Sequence, residues 1–206
     1  MRAIAKCLRQ SQLIQMTNFL AALALCFSSV AIANSEFSDF FNSFETLSAN
    51  FTQQTFSDSN TLLTKTSGYL HFKRPASFVW QTKTPIEQTL LLNKHELWLI
   101  DTELEQASQQ ATNDLKNTPL YWLMNRPENL QDLPRFSHSE LGVNWYKTSQ
   151  SNQLSFGFRN KTLDTIQLTS QLDQKIQVVF SKIILNPELN ESVFALNLAP
   201  GFDVIR

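Results

Sequence analysis

Phe37, Phe40, Phe41, Phe44 and Leu47 recur at i, i+3, i+4, i+7 and i+10, the spacing of one apolar stripe on an α-helix. Ser35 stands at the N-cap position, and Glu36, Ser38, Asp39, Asn42, Ser43 and Glu45 make the opposite face polar. Such a helix needs an apolar surface to lie on. From Ala49 the period drops to two, with Ala49, Phe51 and Gln53 alternating with polar neighbours. Strand-length runs follow at residues 68–73, 78–82, 87–92 and 96–101, broken at Pro75, Pro85 and Asn93-Lys94-His95. Short strands joined by short turns predict an antiparallel meander.

A second helical patch starts at Thr118-Pro119, an N-cap followed by proline at the first helical position. Leu120, Tyr121, Trp122, Leu123 and Met124 then run apolar on nearly every side until Asn125-Arg126-Pro127 stops them. A short helix that is apolar all round is buried, so this one is expected to be a flap over a hydrophobic interior. Strand patterns return at residues 143–147, 153–159, 163–169, 175–184 and 194–198, and Asn186-Pro187 is expected to start a short helical turn. Phe156 with Phe158, and Ile176 with Val178 and Phe180, each mark one apolar face. The pattern predicts a single, mainly β domain with some α: a large curved antiparallel sheet with two helices. Its inner face must be filled either by large side chains or by a ligand.

The first 33 residues read as an export signal. Arg2, Lys6 and Arg9 precede an apolar stretch over 19–33, and Ala31-Ile32-Ala33 is a small-residue cleavage site. The stretch is shorter than the roughly 20 residues a membrane span needs. Cys26 follows Leu25, where a lipidation signal would carry a small residue, so it is read as part of the apolar core of the signal. Cleavage near Ala33 leaves residues 34–206 as one soluble domain without cysteine, hence without disulfides or thiol chemistry. Seventeen basic residues less the three of the signal leave 14 against 18 acidic ones, a net charge near −4. That balance offers nothing to nucleic acid or an anionic membrane.

Candidate chemistry is sparse. His71, His95 and His138 are far apart and fit no metal-ligand spacing. There is no G-x-S-x-G elbow and no phosphate loop. Glu103 and Glu105 read as a solvated strand end or turn. No metal, cofactor or catalytic residue is expected, and the chain reads as a binder rather than an enzyme. The informative stretch is His71 to Trp80, where Phe72, Phe78 and Trp80 look like the wall of an apolar cavity. Arg74 is the strong donor at its rim. Aromatic-rich strands alone would equally mark a packed β-core. The short apolar helix and a basic residue before proline at a strand end are what point to a cavity.

These residues resemble the periplasmic outer-membrane lipoprotein carrier family, LolA. The matching stretches are Ala49-Asn50-Phe51-Thr52-Gln53, Gly68-Tyr69-Leu70, Lys73-Arg74-Pro75, Phe78-Val79-Trp80 and Leu97-Trp98-Leu99-Ile100-Asp101. Asn117-Thr118-Pro119-Leu120 and Pro200-Gly201-Phe202-Asp203-Val204 complete them, in order along nearly all of residues 34–206. The resemblance implies an unclosed, half antiparallel β-barrel with a helical lid over a hydrophobic cavity. It implies a monomeric periplasmic carrier of acylated lipoproteins, loaded by the inner-membrane LolCDE transporter and unloaded to an outer-membrane LolB-type acceptor. LolB shares the fold but is itself a lipoprotein, and the missing lipidation site argues against it here. Phe51, Phe72, Trp80, Trp98, Phe156 and Phe180 are the candidate acyl-cavity residues, and by position Trp80 falls on a cavity-lining tryptophan of the family. Arg74 falls on the lid-latching arginine, Phe78 on a loop position that meets the transporter, and Phe37, Phe41 and Phe44 on the first helix. Leu120, Tyr121, Trp122, Leu123 and Met124 fall on the lid helix, where Tyr121 and Trp122 are bulkier than the family pattern. The other readings are a carrier of a different acyl or aryl lipid and a hydrolase using the same cavity.

Overall fold

The computed structural model describes residues 35–94, 96–112, 118–149, 154–170 and 172–206. The export signal expected over residues 1–33, the side chain of the Ser35 cap, His95, Asn117 and Gln153 lie outside the described residues. A two-turn helix, α1 (Ser35–Asn42), leads into β1 (Thr46–Phe56), β2 (Leu62–Lys73), β3 (Ser77–Thr84), β4 (Gln88–Asn93), β5 (Glu96–Asp101) and β6 (Gln106–Gln110). Helix α2 (Pro119–Met124) follows, then β7 (Arg135–Glu140), β8 (Val143–Lys147), β9 (Ser155–Arg159), β10 (Thr162–Thr169), β11 (Lys175–Leu185) and β12 (Asp203–Ile205). All twelve strands form one open sheet in the order β12-β6-β5-β4-β3-β2-β1-β11-β10-β9-β8-β7. Pairing is antiparallel throughout except for β12, which runs parallel to β6. The edges are β7 and β12, and β7 carries a bulge between Phe136 and His138. Both helices lie on one face, giving a half-barrel.

Alternation sorts the side chains between the two faces. On the helix-bearing, inner face Leu47, Phe51, Leu70, Phe72, Phe78, Leu92, Phe156, Phe158 and Val178 join Phe37, Phe40, Phe41 and Phe44 in one core. On the outer face Val79, Leu91, Trp98 and Ala107 form a second core under the C-terminal segment, covered by Leu189, Phe194, Leu196, Leu198 and Phe202. Gly68 permits a close crossing at the bulge between β2 and β3: a Cβ there would lie 1.8 Å from the Gln81 carbonyl oxygen.

Four departures from the sequence pattern have physical causes. The helix stops at Asn42, so Phe44 lies in a turn and Leu47 on β1, although all remain in the same core. Hydrogen bonds that compete with a further helical turn end it. Ser43 Oγ donates to the Phe40 carbonyl at 2.7 Å, and the Asn186 amide donates to the Ser43 carbonyl at 3.0 Å. Strands β6 and β7, Gln-Ala-Ser-Gln-Gln and Arg-Phe-Ser-His-Ser-Glu, lack an apolar alternation that would announce them. The strand expected at 194–198 is instead a 3₁₀ turn, Glu191–Phe194, followed by irregular chain. The Asn190 side chain accepts the Ser192 N–H at 3.0 Å and fixes that turn. Finally, Asn186-Pro187 starts no helical turn: residues 187–190 are irregular, and the Asn186 side chain accepts the Glu45 N–H and donates to the Ser43 carbonyl. Glu103 and Glu105 sit, as expected, in a turn, the one between β5 and β6.

Candidate functional site

Between α2 and the inner face of the sheet lies an apolar cavity of about 330 Å³. Helix α2 forms one wall through Pro119, Leu120 and Leu123, while β1 to β4 contribute Leu47, Ala49, Leu70, Phe78, Trp80 and Leu90. The far wall is aliphatic apart from Phe180: Leu163, Ile166 and Leu168 of β10, with Ile176, Val178, Phe180 and Ile183 of β11. Gln53 and Thr118 are the polar residues of the lining. A cavity whose walls are apolar apart from these two residues selects for hydrocarbon.

The aromatic residues singled out from the sequence divide into three groups. Trp80 and Phe180 face the cavity, with rings 6.4 Å apart and nearly perpendicular. Phe51 backs Trp80, stacked on it at 3.8 Å. Phe72 and Phe156 do not face the open space. They are fully buried beneath α1, with Phe72 6.1 Å from Phe44, and Phe156 5.2 Å from Phe37 and 5.9 Å from Trp122. Trp98 is a correction. It pairs with Leu91, which pairs with Val79, and all three point to the outer face, so Trp98 belongs to the second core and cannot line the cavity. Phe78 is a second correction. It lies inside β3 rather than in a loop, is 4% exposed and lines the cavity. In α2, Leu120, Trp122 and Leu123 are buried, and Tyr121 and Met124 pack partly buried against the same core. The sequence marked Ile176, Val178 and Phe180 as one apolar face but assigned only Phe180 to the cavity, and Leu163, Ile166 and Leu168 of β10 were not singled out.

Arg74 sits between the sheet and the end of α1. Its Nη2 donates to the Phe41 carbonyl at 2.7 Å and its Nε to the Phe44 carbonyl at 3.1 Å. Its guanidinium lies 5.0 Å from the Phe44 ring centroid and 5.8 Å from that of Phe72. These carbonyls belong to the last turn of α1 and the bend after it, where a helix leaves acceptors unpaired and its dipole favours a cation. Around this end the Phe40 carbonyl takes Ser43, the Ser43 carbonyl takes Asn186, and Arg74 takes Phe41 and Phe44. Burial pushes the guanidinium pKa down from its ordinary value, with the Glu128 carboxylate opposing the shift. The arginine stays charged at any physiological pH.

Among the described residues the cavity wall carries no nucleophile and base, its polar members being Gln53 and Thr118. The near pair Ser48 Oγ and His71 Nδ1, at 2.8 Å, lies on the outer face of β1 and β2, opposite the cavity. Among the described residues no group of His, Cys, Asp and Glu could hold a metal ion, and no helix is long and apolar enough to cross a membrane.

The profile of the family described as outer membrane lipoprotein carrier protein LolA matches residues 42–197. An outer-membrane lipoprotein carrier protein of Hahella chejuensis is 31% identical over 176 residues, covering 79% of this chain and 82% of its own length. One from Pseudomonas aeruginosa (strain UCBPP-PA14) is 31% identical over 202 residues, covering 92% and 97%. A carrier protein of Coxiella burnetii (strain RSA 331 / Henzerling II) is 27% identical over 197 residues, covering 91% and 93%.

Proposed function

The chain belongs to the LolA family of outer-membrane lipoprotein carrier proteins, and on that premise we propose that it ferries acylated lipoproteins across the periplasm. In this reading residues 1–33 direct export. A LolCDE-type transporter releases the lipoprotein from the inner membrane into the cavity, and an outer-membrane acceptor of the LolB type takes it over. The protein binds and releases; it does no chemistry on its cargo. The single observation that carries the reading is an apolar cavity between α2 and the sheet, beside which helix α1 is held to the sheet by Arg74.

Energetics explain why such a carrier needs a fastened cover. Burying acyl chain is worth about 0.8 kcal/mol per methylene, so full burial of three chains would hold the cargo too tightly to deliver. At about 330 Å³ the cavity is at the small end of known ligand sites, which run from about 300 to 1,000 Å³. Three chains require it to widen, and the aromatic side chains under α1 are what must give way. Widening breaks the bonds from Arg74 to Phe41 and Phe44, each a charge-assisted hydrogen bond worth about 1.5–3 kcal/mol. That cost offsets part of the acyl burial and makes handover downhill.

The test is to incubate the purified protein with ATP and spheroplasts holding newly made lipoproteins. The expected result is a soluble complex with one lipoprotein per carrier. Failure with a cognate transporter present, together with a different acyl or aryl lipid co-purifying from the periplasm by mass spectrometry, would replace the lipoprotein reading with transport of that lipid.

A further inference from the structure

Helix α1 is fastened at both ends, and the two fastenings differ in how completely their hydrogen-bonding groups are satisfied. At the C-terminal end Arg74 uses Nε and Nη2, while its Nη1 is buried with no hydrogen-bond partner among the described residues. An unsatisfied buried donor raises the cost of the closed arrangement. At the N-terminal end the Glu36 carboxylate has three donors. Its Oε1 accepts the backbone N–H of Lys161 at 3.0 Å, and its Oε2 accepts the Asn144 side-chain amide at 2.9 Å and the Tyr146 hydroxyl at 3.4 Å. Ser139 Oγ donates to Asn144 Oδ1 at 2.6 Å, which turns the amide nitrogen toward Glu36. A carboxylate in the first turn is also favoured by the helix dipole.

The Lys161 donor is placed by the β9–β10 hairpin. Arg159 pairs with Thr162, leaving a two-residue turn, Asn160-Lys161, with φ of 51° and 63°. Positive φ at both positions is the type I′ geometry that continues the twist of the flanking strands. Glu36 and its partners therefore tie α1 to β8 and to the β9–β10 turn, whereas Arg74 ties it to the β2–β3 corner.

From this asymmetry we infer that Glu36 is the pivot of the cover: a positioning residue that keeps α1 attached and oriented while its C-terminal end leaves Arg74. The use of the motion rests on the carrier reading above; the geometry does not. The direction of swing fits the site. Phe44, at the end that frees itself, lies on Phe72, whose strand neighbour Leu70 and cross-strand partner Phe78 already line the cavity. Lifting that end extends the existing space. Lifting the Glu36 end would instead unpack Phe37 from Trp122 and Tyr146, at 5.7 and 6.5 Å, which do not border the cavity. Phe156 and Phe158 are shared, touched by Phe37 and also by Phe41 and Phe40 nearer the Arg74 end.

Amide exchange followed by NMR on the purified protein tests the pivot. The Lys161 amide sits in an exposed turn and points at Glu36, so it reports that attachment directly, while the Ser43 amide, bonded to the Phe40 carbonyl at 3.1 Å, reports the other end. Glu36→Ala should raise Lys161 exchange at least about tenfold, and Glu36→Gln, which keeps an acceptor oxygen, should restore most of the protection. Arg74→Leu opens the other end without any ligand: Ser43 exchange rises and Lys161 exchange stays as in the wild type. Loading with a synthetic tripalmitoylated cysteinyl peptide should give the same signature. Lys161 losing protection together with Ser43 in Arg74→Leu overturns the pivot, as does undiminished Lys161 protection in Glu36→Ala. A protein that gives the Arg74→Leu signature but binds no lipopeptide supports the pivot and counts against the carrier reading.

Discussion

Arg74 was visible in the sequence as a basic residue before a proline at the end of a strand, but its partners were not. They are backbone carbonyls of Phe41 and Phe44, and carbonyls carry no sequence signal. What makes them available is where α1 stops, and that depends on Ser43 and on Asn186, a residue far along the chain. Replacing Arg74 by leucine removes both bonds and also the buried, unpartnered Nη1. We expect a stability loss of only about 1–3 kcal/mol by urea unfolding, but a large defect in delivery. Cargo should load and remain bound when acceptor membranes are added, with Arg74→Lys intermediate because lysine keeps the charge and loses the planar fork. His71 offers a second check. Burial holds its pKa below the ordinary imidazole value of 6.5, so below that value the unfolded chain binds the proton more readily than the folded one. Its contribution to stability is therefore present above the unfolded value and lost as pH falls through the folded one. The urea midpoint should decline as pH is lowered from about 7 to about 5, and His71→Gln should flatten that part of the profile.

At the scale of elements, the sequence was most informative where one face is buried and the other solvated. Strands β1 and β11 are of that kind, and the alternation located them, whereas β3 and β4 are covered on both faces and were located by their length and the breaks around them. It gave less where the alternation failed. In β5, Leu97, Trp98, Leu99 and Ile100 are all apolar, so the pattern could not say which of them turns inward, and Trp98 was put on the wrong face. Strand β7 is exposed at every position and β6 is mostly glutamine and serine; both are held by backbone pairing to their neighbours. The register is strict where β2 crosses β3. Gly68→Ala would push a Cβ onto the Gln81 carbonyl, and we expect about 1–3 kcal/mol of destabilisation, read as a lower urea midpoint with the slope unchanged.

For the whole molecule, a cavity is harder to read than a core, because both ask for the same side chains. The aromatic positions in this chain draw attention to Phe and Trp, yet a third of the cavity wall is Leu, Ile and Val from β10 and β11. The two faces of the sheet allow a paired test. Leu168→Trp fills space beside the cavity and should weaken binding of a fluorescent fatty-acid analogue at least about tenfold with little loss of stability. Trp98→Ala empties the outer core and should cost about 3–5 kcal/mol while leaving the affinity of the folded protein unchanged. Equal effects of both substitutions on affinity would mean that the cavity does not hold the ligand.

An open sheet also has margins, and at each one a row of peptide groups is left without a neighbour. Another chain could add itself there and start a polymer. Here one margin, β7, is kinked by its bulge and fringed by Arg135, His138 and Glu140, while the other is closed off by three residues of β12 running against the direction of every other pairing. Such an arrangement lets a protein keep a greasy interior within reach of the outside and still stay dispersed. Removing residues 203–206 would uncover β6, and sedimentation should then show concentration-dependent association that the intact chain lacks.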